Sequence, residues 1–330
     1  MSSNNKPFLL YPAAKDYLWG GNRINDDFGK NIDVQPLAET WECSTHPDGE
    51  SLVWSGEYKG QKLSEVIKKH PEYLGEHAQK INNGDLPILV KLIDAKHNLS
   101  IQVHPDDEYA LKNENSLGKS EMWYVLSAKE KSKLIYGFNQ NIEDKQITLS
   151  INDGSIKKYL NYVSVTKDDV FFIEPGTVHA IGEGILVAEI QENSNITYRL
   201  YDYDRIDKNG NKRSLQIEKA LDVANCKATD QPHQPMRVLK YKKGFASELL
   251  ARCKYFQVER TILNTEISRD LFEYNTDSNS FHVFLFFDGC GTIEGDSFYL
   301  NFFKGDCVFV PAESASIKLH GIAQFLDISC

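Results

Sequence analysis

Leu99–Leu126, reading LSIQVHPDDEYALKNENSLGKSEMWYVL, is the stretch on which the reading of the fold turns. It opens with apolar Leu99, Ile101 and Val103 alternating with polar Ser100, Gln102 and His104. Successive side chains of a strand point to opposite faces, so a hydroxyl, a carboxamide and an imidazole share one side. Pro105 ends the strand, because its ring removes a ladder donor. Asp106, Asp107 and Glu108 then start a helical turn, where acidic residues favour the N-terminus. Gly118-Lys119-Ser120-Glu121 leads into a second strand at Met122–Leu126. A Gln, a His and a Glu delivered by two neighbouring strands make half of a metal shell.

Working outward, Leu86–Ile93 is a nearly continuous apolar run and reads as a buried strand feeding that stretch. Ala38–Ser44, Lys133–Phe138, Asp169–Ile173, 186–192 and 195–201 are further strands. Helical insertions are expected at about 61–84, where Leu63, Val66 and Ile67 share a face, at 141–163 and at 214–225. In the second, Ser155 is read as capping a helix that carries Ile156, Leu160 and Val163; in the third, Ser214 caps one with Ile217, Ala220, Leu221 and Ala224 inward. Beyond a loose Pro/Gln segment at 228–236 the chain returns to short strands at 253–263, 282–288, 297–303 and 307–310. Many short strands with Gly and Pro turns predict a mainly β protein of barrel or sandwich type. An internal repeat extends this: Lys167–His179 resembles Lys304–Ala315, one residue being skipped before the proline, with His179 opposite Ala315. Two copies of one barrel follow, a site-bearing unit over 1–235 and a smaller one over 236–330 without ligands.

Composition sets the outer limits. The chain has 330 residues, too many for one ordinary core and suited to two. A net charge of −10 argues against a nucleic-acid binder. No apolar run reaches the roughly 20 residues of a membrane span. The N-terminal segment lacks the apolar core of a secretory signal, and the six cysteines are scattered with no C-x-x-C pair. A cytoplasmic protein with free thiols is the expectation, acting on a small molecule and engaging neither nucleic acid nor membrane. Oligomeric state, monomer or dimer, stays open.

A metal site needs four to six converging donors, for zinc usually His and carboxylate. Gln102, His104, Glu121 and His179 would give two nitrogens and two oxygens, with positions left for water or substrate. His104 alone reads as a turn-capping residue before proline; Gln102 beside it and Glu121 opening the next strand change the balance. His97, His233, His282 and His320 have no donor neighbours at useful spacing and read as structural or solvated.

Ser100-Ile-Gln102-Val-His104-Pro-Asp, Lys119-Ser-Glu121-Met, Pro175-Gly-Thr-Val-His179-Ala and Asn195-Ile-Thr-Tyr-Arg199-Leu resemble, in order and spacing, the type I phosphomannose isomerases, above all their short bacterial form. The likeness runs from residue 7 to about 325 and is densest over 86–205. It implies two cupin-type (jelly-roll) barrels, the second degenerate. It also implies one Zn2+ per chain and interconversion of mannose 6-phosphate and fructose 6-phosphate. Carried over by residue, it makes Gln102, His104, Glu121 and His179 the zinc ligands, Arg199 and Lys119 catalytic, and Ser100, Lys119 and His46 substrate-binding. Arg205 stands where eukaryotic members carry a lysine, and Arg cannot exchange a proton there.

The chemistry is self-consistent without the family. Aldose–ketose isomerisation moves a proton between C1 and C2 through an enediol, and a divalent metal stabilises the charge that develops on oxygen. Arg199 shares a strand face with Thr197 and Tyr201 and supplies a fixed cation, the alternative being a surface pair with Asp202 or Asp204. Lys119, Arg205 and Lys91 are the cations available for a phosphate. The general base is not readable: His46, Glu42 and a metal-bound water all qualify. Competing readings are a metal-dependent cupin oxygenase, against which Gln102 and the basic residues argue, and a non-catalytic sugar-binding cupin, which would have lost Arg199 or a ligand.

Overall fold

The computed structural model describes residues 5–206, 210–267, 271–314 and 316–330. Its strands form three sheets in which all paired strands run antiparallel. The five-stranded sheet runs Tyr198–Tyr201, Ile101–Val103, His179–Ala180, Lys133–Phe138, Leu160–Ser164. The six-stranded sheet runs Val170–Ile173, Glu121–Ala128, Ile185–Glu192, Ile88–Ala95, Glu39–Cys43, Ala13–Lys15. The ten-stranded sheet holds the C-terminal strands, among them the long pair His282–Gly295 and Ile317–Ser329.

The six-stranded sheet is the middle layer, which explains why its strands read as continuous apolar runs rather than alternating ones. From Glu121–Ala128, Met122, Tyr124 and Leu126 join a cluster with Phe281, Phe309 and Leu326 of the C-terminal sheet. Trp123 and Val125 point the other way, toward Leu99, Leu134 and Ile181. On the five-stranded sheet, Ile101 and Val103 turn outward under the helices, packing with Ile147, Ile151 and Ala220. The polar alternate residues are thereby left facing the space between the two sheets.

Phe8–Tyr11 pairs with Cys307–Val310, and Leu52–Val53 with Phe8–Tyr11, so N-terminal strands complete the C-terminal sheet. The boundary at 235/236 is thus crossed by one sheet and by one apolar core. In the repeat, Val170–Ile173 and Cys307–Val310 are both strands; Ala315, its counterpart to His179, lies outside the described residues. Two helical expectations change. Asp144–Asn152 is the helix of the 141–163 insertion, Ser155 opens a 3-10 turn after Gly154, and Leu160 and Val163 sit on a strand paired with Lys133–Phe138. The 214–225 helix is Ile217–Val223, begun at Gln216 with no side-chain cap from Ser214. Asp106 does cap the helix Asp107–Glu114, its Oδ1 accepting the Tyr109 N–H at 2.9 Å.

Candidate metal centre and substrate pocket

Register aligns the site. His179 pairs directly with Gln102, and Gln102 with Arg199, so these residues form one row across the five-stranded sheet. Facing them, Trp41, Lys91, Glu189 and Trp123 form a row across the six-stranded sheet. His104 follows the Ile101–Val103 strand, and Glu121 opens the strand Glu121–Ala128 opposite Ile173. Lys119 is fixed by its own backbone N–H, which donates to the Pro105 carbonyl at 3.0 Å.

His104, Glu121 and His179 are buried, with ligand atoms within 4.8 Å of one another. His104 Nε2 lies 3.5 Å from Glu121 Oε2, and His179 Nε2 3.3 Å from Glu121 Oε1. The Gln102 carboxamide is 3.4 Å from His179 Nε2, and a half-turn about its terminal bond would present oxygen to the same point. His179 is oriented by its Nδ1, 2.8 Å from the Thr177 carbonyl, and by Trp123 edge-on at 5.4 Å. Lys119 Nζ stands 3.1 Å from His104 Nε2 and 3.2 Å from Glu121 Oε2.

The donor set fits a metal. Glu121 is fully buried, and apart from the Lys119 ammonium beside Oε2 its carboxylate oxygens have no hydrogen-bond donor. With Lys119 on Oε2 only, Oε1 faces the His179 imidazole unpartnered, an arrangement that suits a cation between them. Burial, against the pull of Lys119, pushes its carboxyl up to about 7. Burial holds His179 down at about 4, and burial with Lys119 holds His104 well below the ordinary imidazole value. Neutral imidazoles are the form that binds metal.

Beside this group lies a polar pocket lined by Ser100, Gln102, Lys119, Thr197, Arg199 and Arg213 on one side and Glu39, Lys91, Trp123 and Glu189 on the other. Lys91 and Glu189 form a buried pair at 2.9 Å, Trp123 Nε1 donating to the second Glu189 oxygen at 3.0 Å. Burial opposes charge on both, yet each holds the other ionised: Glu189 falls to about 2, and Lys91 rises under Glu189 and Glu39. Arg199 Nε is buried without a partner. Its guanidinium is held below its ordinary value by burial and by Arg213, against Asp202.

The structure therefore brings Gln102, His104, Glu121, His179, Ser100, Lys119 and Arg199 together. It does not bring Arg205: that guanidinium is held by the Asp202 carboxylate and donates to the Asn98 carbonyl at 2.6 Å, outside the pocket lining. His46 also lies outside the lining, edge-on to Trp41 at 5.8 Å, with Nδ1 accepting from the Asp48 N–H at 3.1 Å. Glu42 faces the C-terminal side, bound by Lys30 and Thr40 at 2.6 Å each, and leaves the set of bases. Sequence reading missed Arg213 and Glu189, and gave Glu39 no role of its own. The signal for Glu189 was a carboxylate inside the apolar run Ile185–Glu192; Arg213, in a polar loop, gave none.

Comparison with known proteins follows the same lines. A family model described as "Phosphomannose isomerase type I, catalytic domain" matches residues 8–134. The mannose-6-phosphate isomerase ManA of Bacillus subtilis (strain 168) is 34% identical over 320 residues, covering 97% of each chain. The mannose-6-phosphate isomerase of Streptococcus mutans is 41% identical over 218 residues, 66% of this chain and 67% of that one. The crystal structure of the mannose 6-phosphate isomerase from Bacillus subtilis superposes with a TM-score of 0.88 at 33% identity, over 98% of this chain and 99% of that one.

Proposed function

We propose a zinc-dependent enediol route for this chain, which belongs to the type I phosphomannose isomerases and on that footing is a mannose-6-phosphate isomerase. The proposal concerns the metal, the residues and the proton path. One Zn2+ would be held by Gln102, His104, Glu121 and His179, and when bound it supplies Lewis-acid stabilisation of negative charge on the sugar oxygens. The observation that carries this reading is the convergence of His104, Glu121 and His179 at the end of a pocket rich in fixed cations.

Lys91, Lys119, Arg199 and Arg213 line that pocket against Glu39 and Glu189, a local positive excess in a chain of net charge −10. Such an excess suits a sugar phosphate. Arg199, with its Nε unpartnered, has donors to spare for substrate oxygens on which charge builds up. Lys119 is the proton-bearing group nearest the metal ligands and is assigned to proton transfer or charge stabilisation at C1 and C2. Ser100, buried beside Gln102, contributes a hydroxyl to substrate binding. Arg213 takes over the phosphate role that sequence alone gave to Arg205, and His46 is kept as a residue of the pocket's approach. The division into a site-bearing 1–235 and a supporting 236–330 is part of the same reading. So is a cytoplasmic location, supported by free cysteines and by the absence, among the described residues, of a helix long and apolar enough to cross a membrane.

Metal analysis coupled to conversion of mannose 6-phosphate into fructose 6-phosphate, before and after chelation, tests the reading. Bound zinc with chelator-sensitive turnover is the expected result. Bound iron with oxygen uptake, or metal without turnover, would overturn it.

A further inference from the structure

The two barrels share more than the repeated strand. In the metal-bearing barrel Glu121 pairs with Ile173 and Gln191, and Glu189 pairs with Trp123 and Lys91. In the C-terminal sheet His282 pairs with Val310 and Ser329, and Asp327 with Phe284 and Glu259. Lys167–Ile173 and Lys304–Val310 align without a gap. His282 therefore stands where Glu121 stands, Asp327 where Glu189 stands, and Glu259 where Lys91 stands. The far end of this second barrel is filled by Leu263, Phe284, Phe286 and Phe325. The equivalent of the catalytic pocket is open, and its walls include His282, Asp327, Glu259, Gln257 and Ser329.

These side chains are organised, and of the two sequence readings of His282, structural or solvated, the geometry takes the structural one. His282 Nδ1 lies 2.6 Å from Asp327 Oδ1. The Tyr274 hydroxyl donates to Asp327 Oδ2 at 2.6 Å and is 2.8 Å from His282 Nδ1. With the ring held through Nδ1, Nε2 is the atom available to a ligand. Among the described residues the converging metal-donor group is His104, Glu121 and His179, whereas here His282 and Asp327 are bonded to each other. Nor does it suit a phosphate: Glu259, Glu273, Asp277 and Asp327 outnumber Lys240 and Lys242 around it. Carboxylates, two amides and hydroxyls line it, Gln257 Nε2 donating to Glu259 Oε1 at 3.1 Å, beside Phe245 and Phe272, which stack on each other at 3.8 Å with Lys242 Nζ over the Phe272 ring. Fixed acceptors and donors in a net acidic cavity match the hydroxyl pattern of an uncharged sugar or polyol.

We propose that the mouth of the C-terminal barrel binds a neutral hexose or polyol, at a site distinct from the isomerase pocket. The cavity is the catalytic pocket's counterpart with its charge inverted, Glu259 replacing Lys91 and His282 replacing Glu121, so it discriminates against the phosphorylated sugars of the first site. The proposal stands on the second barrel's geometry and does not depend on the assigned reaction.

Isothermal titration of the metal-loaded full chain with D-mannose, with D-sorbitol and with inorganic phosphate tests it. Mannose or sorbitol should bind in the millimolar range. Glu259→Gln, an isosteric change at a half-buried position, should weaken binding about tenfold, the loss of one charge-assisted hydrogen bond. Gln257→Ala should weaken it as well, and both variants should keep wild-type turnover. Arg199→Ala should leave this binding unchanged. Absence of binding by both neutral ligands, binding abolished by Arg199→Ala but indifferent to Glu259→Gln and Gln257→Ala, or phosphate binding relieved by neither Arg199→Ala nor Arg213→Ala would each overturn the proposal.

Discussion

Arg199 and Arg205 lie six residues apart and differ in what surrounds them: one has an unpartnered donor in the pocket, the other spends its donors on Asp202 and Asn98. Arg199→Ala should keep its metal, by elemental analysis, while turnover falls about 100-fold or more, the effect of removing a preorganised donor. Arg205→Ala should leave turnover near wild type, and Arg213→Ala should raise KM more than it lowers kcat. An Arg205 variant as impaired as Arg199→Ala would reverse the assignment. A second test concerns the buried pair. Glu189→Gln strands Lys91 and should destabilise the fold by about 3 kcal/mol in denaturant titrations, with Lys91→Met/Glu189→Gln recovering much of that. Additive losses would show the two residues are not coupled. At this scale the convergence of Gln102 and His104 on one pocket was legible because alternation places them on adjacent inward positions. Arg213 was not legible, since its approach to Arg199 depends on a loop that carries no periodic signal.

Strands were more legible than helices. Leu160 and Val163 have a helix-like spacing, but Leu160–Ser164 is drawn into the edge of the five-stranded sheet, where Tyr162 and Val163 suit a pleated surface. Short runs also understated length: His282–Gly295 continues well past the expected 282–288, and its ladder partner Ile317–Ser329 was not read as a strand. That pairing explains why His282 could not be read from sequence, its partner Asp327 lying 45 residues on. Burial alone would lower the imidazole, but Asp327 outweighs it, helped by Asp277 and Glu259, and raises it above 6.5; Tyr274 faces the same pair. A raised cation stabilises the fold fully below its unfolded value and loses that contribution as pH climbs through the folded one. The stability difference between wild type and His282→Asn should therefore be largest below about pH 6.5 and shrink as pH rises. A difference that grows with pH would contradict the charged pair.

The whole molecule is less divisible than its sequence suggests. The repeat and the composition pointed to two barrels, and the mainly β antiparallel architecture follows. Nothing in the local pattern, however, could show that Phe8–Tyr11 would join the C-terminal sheet, because pairing across some 300 residues is set by which edge is left open. Phe309 stacks on Phe8 at 5.3 Å and on Phe281 at 5.2 Å, inside a core that also takes Met122 and Tyr124 from the six-stranded sheet. Calorimetry of the intact chain should show one cooperative transition, and Phe309→Ala should shift the whole of it by about 3–5 kcal/mol. Two separable transitions, with only one responding, would mean independent domains. On this view the second barrel holds the first one's back layer in place, and the catalytic centre sits on the layer they share.

Removal and return of the ion test the centre directly. Stripped of metal by chelation and titrated with Zn2+, the protein should regain mannose 6-phosphate to fructose 6-phosphate turnover in proportion to metal, with the break at one equivalent per chain, and Glu121→Ala should regain none. Full turnover in the stripped protein, or restoration of Glu121→Ala to wild-type rate by one equivalent, would contradict the metal assignment.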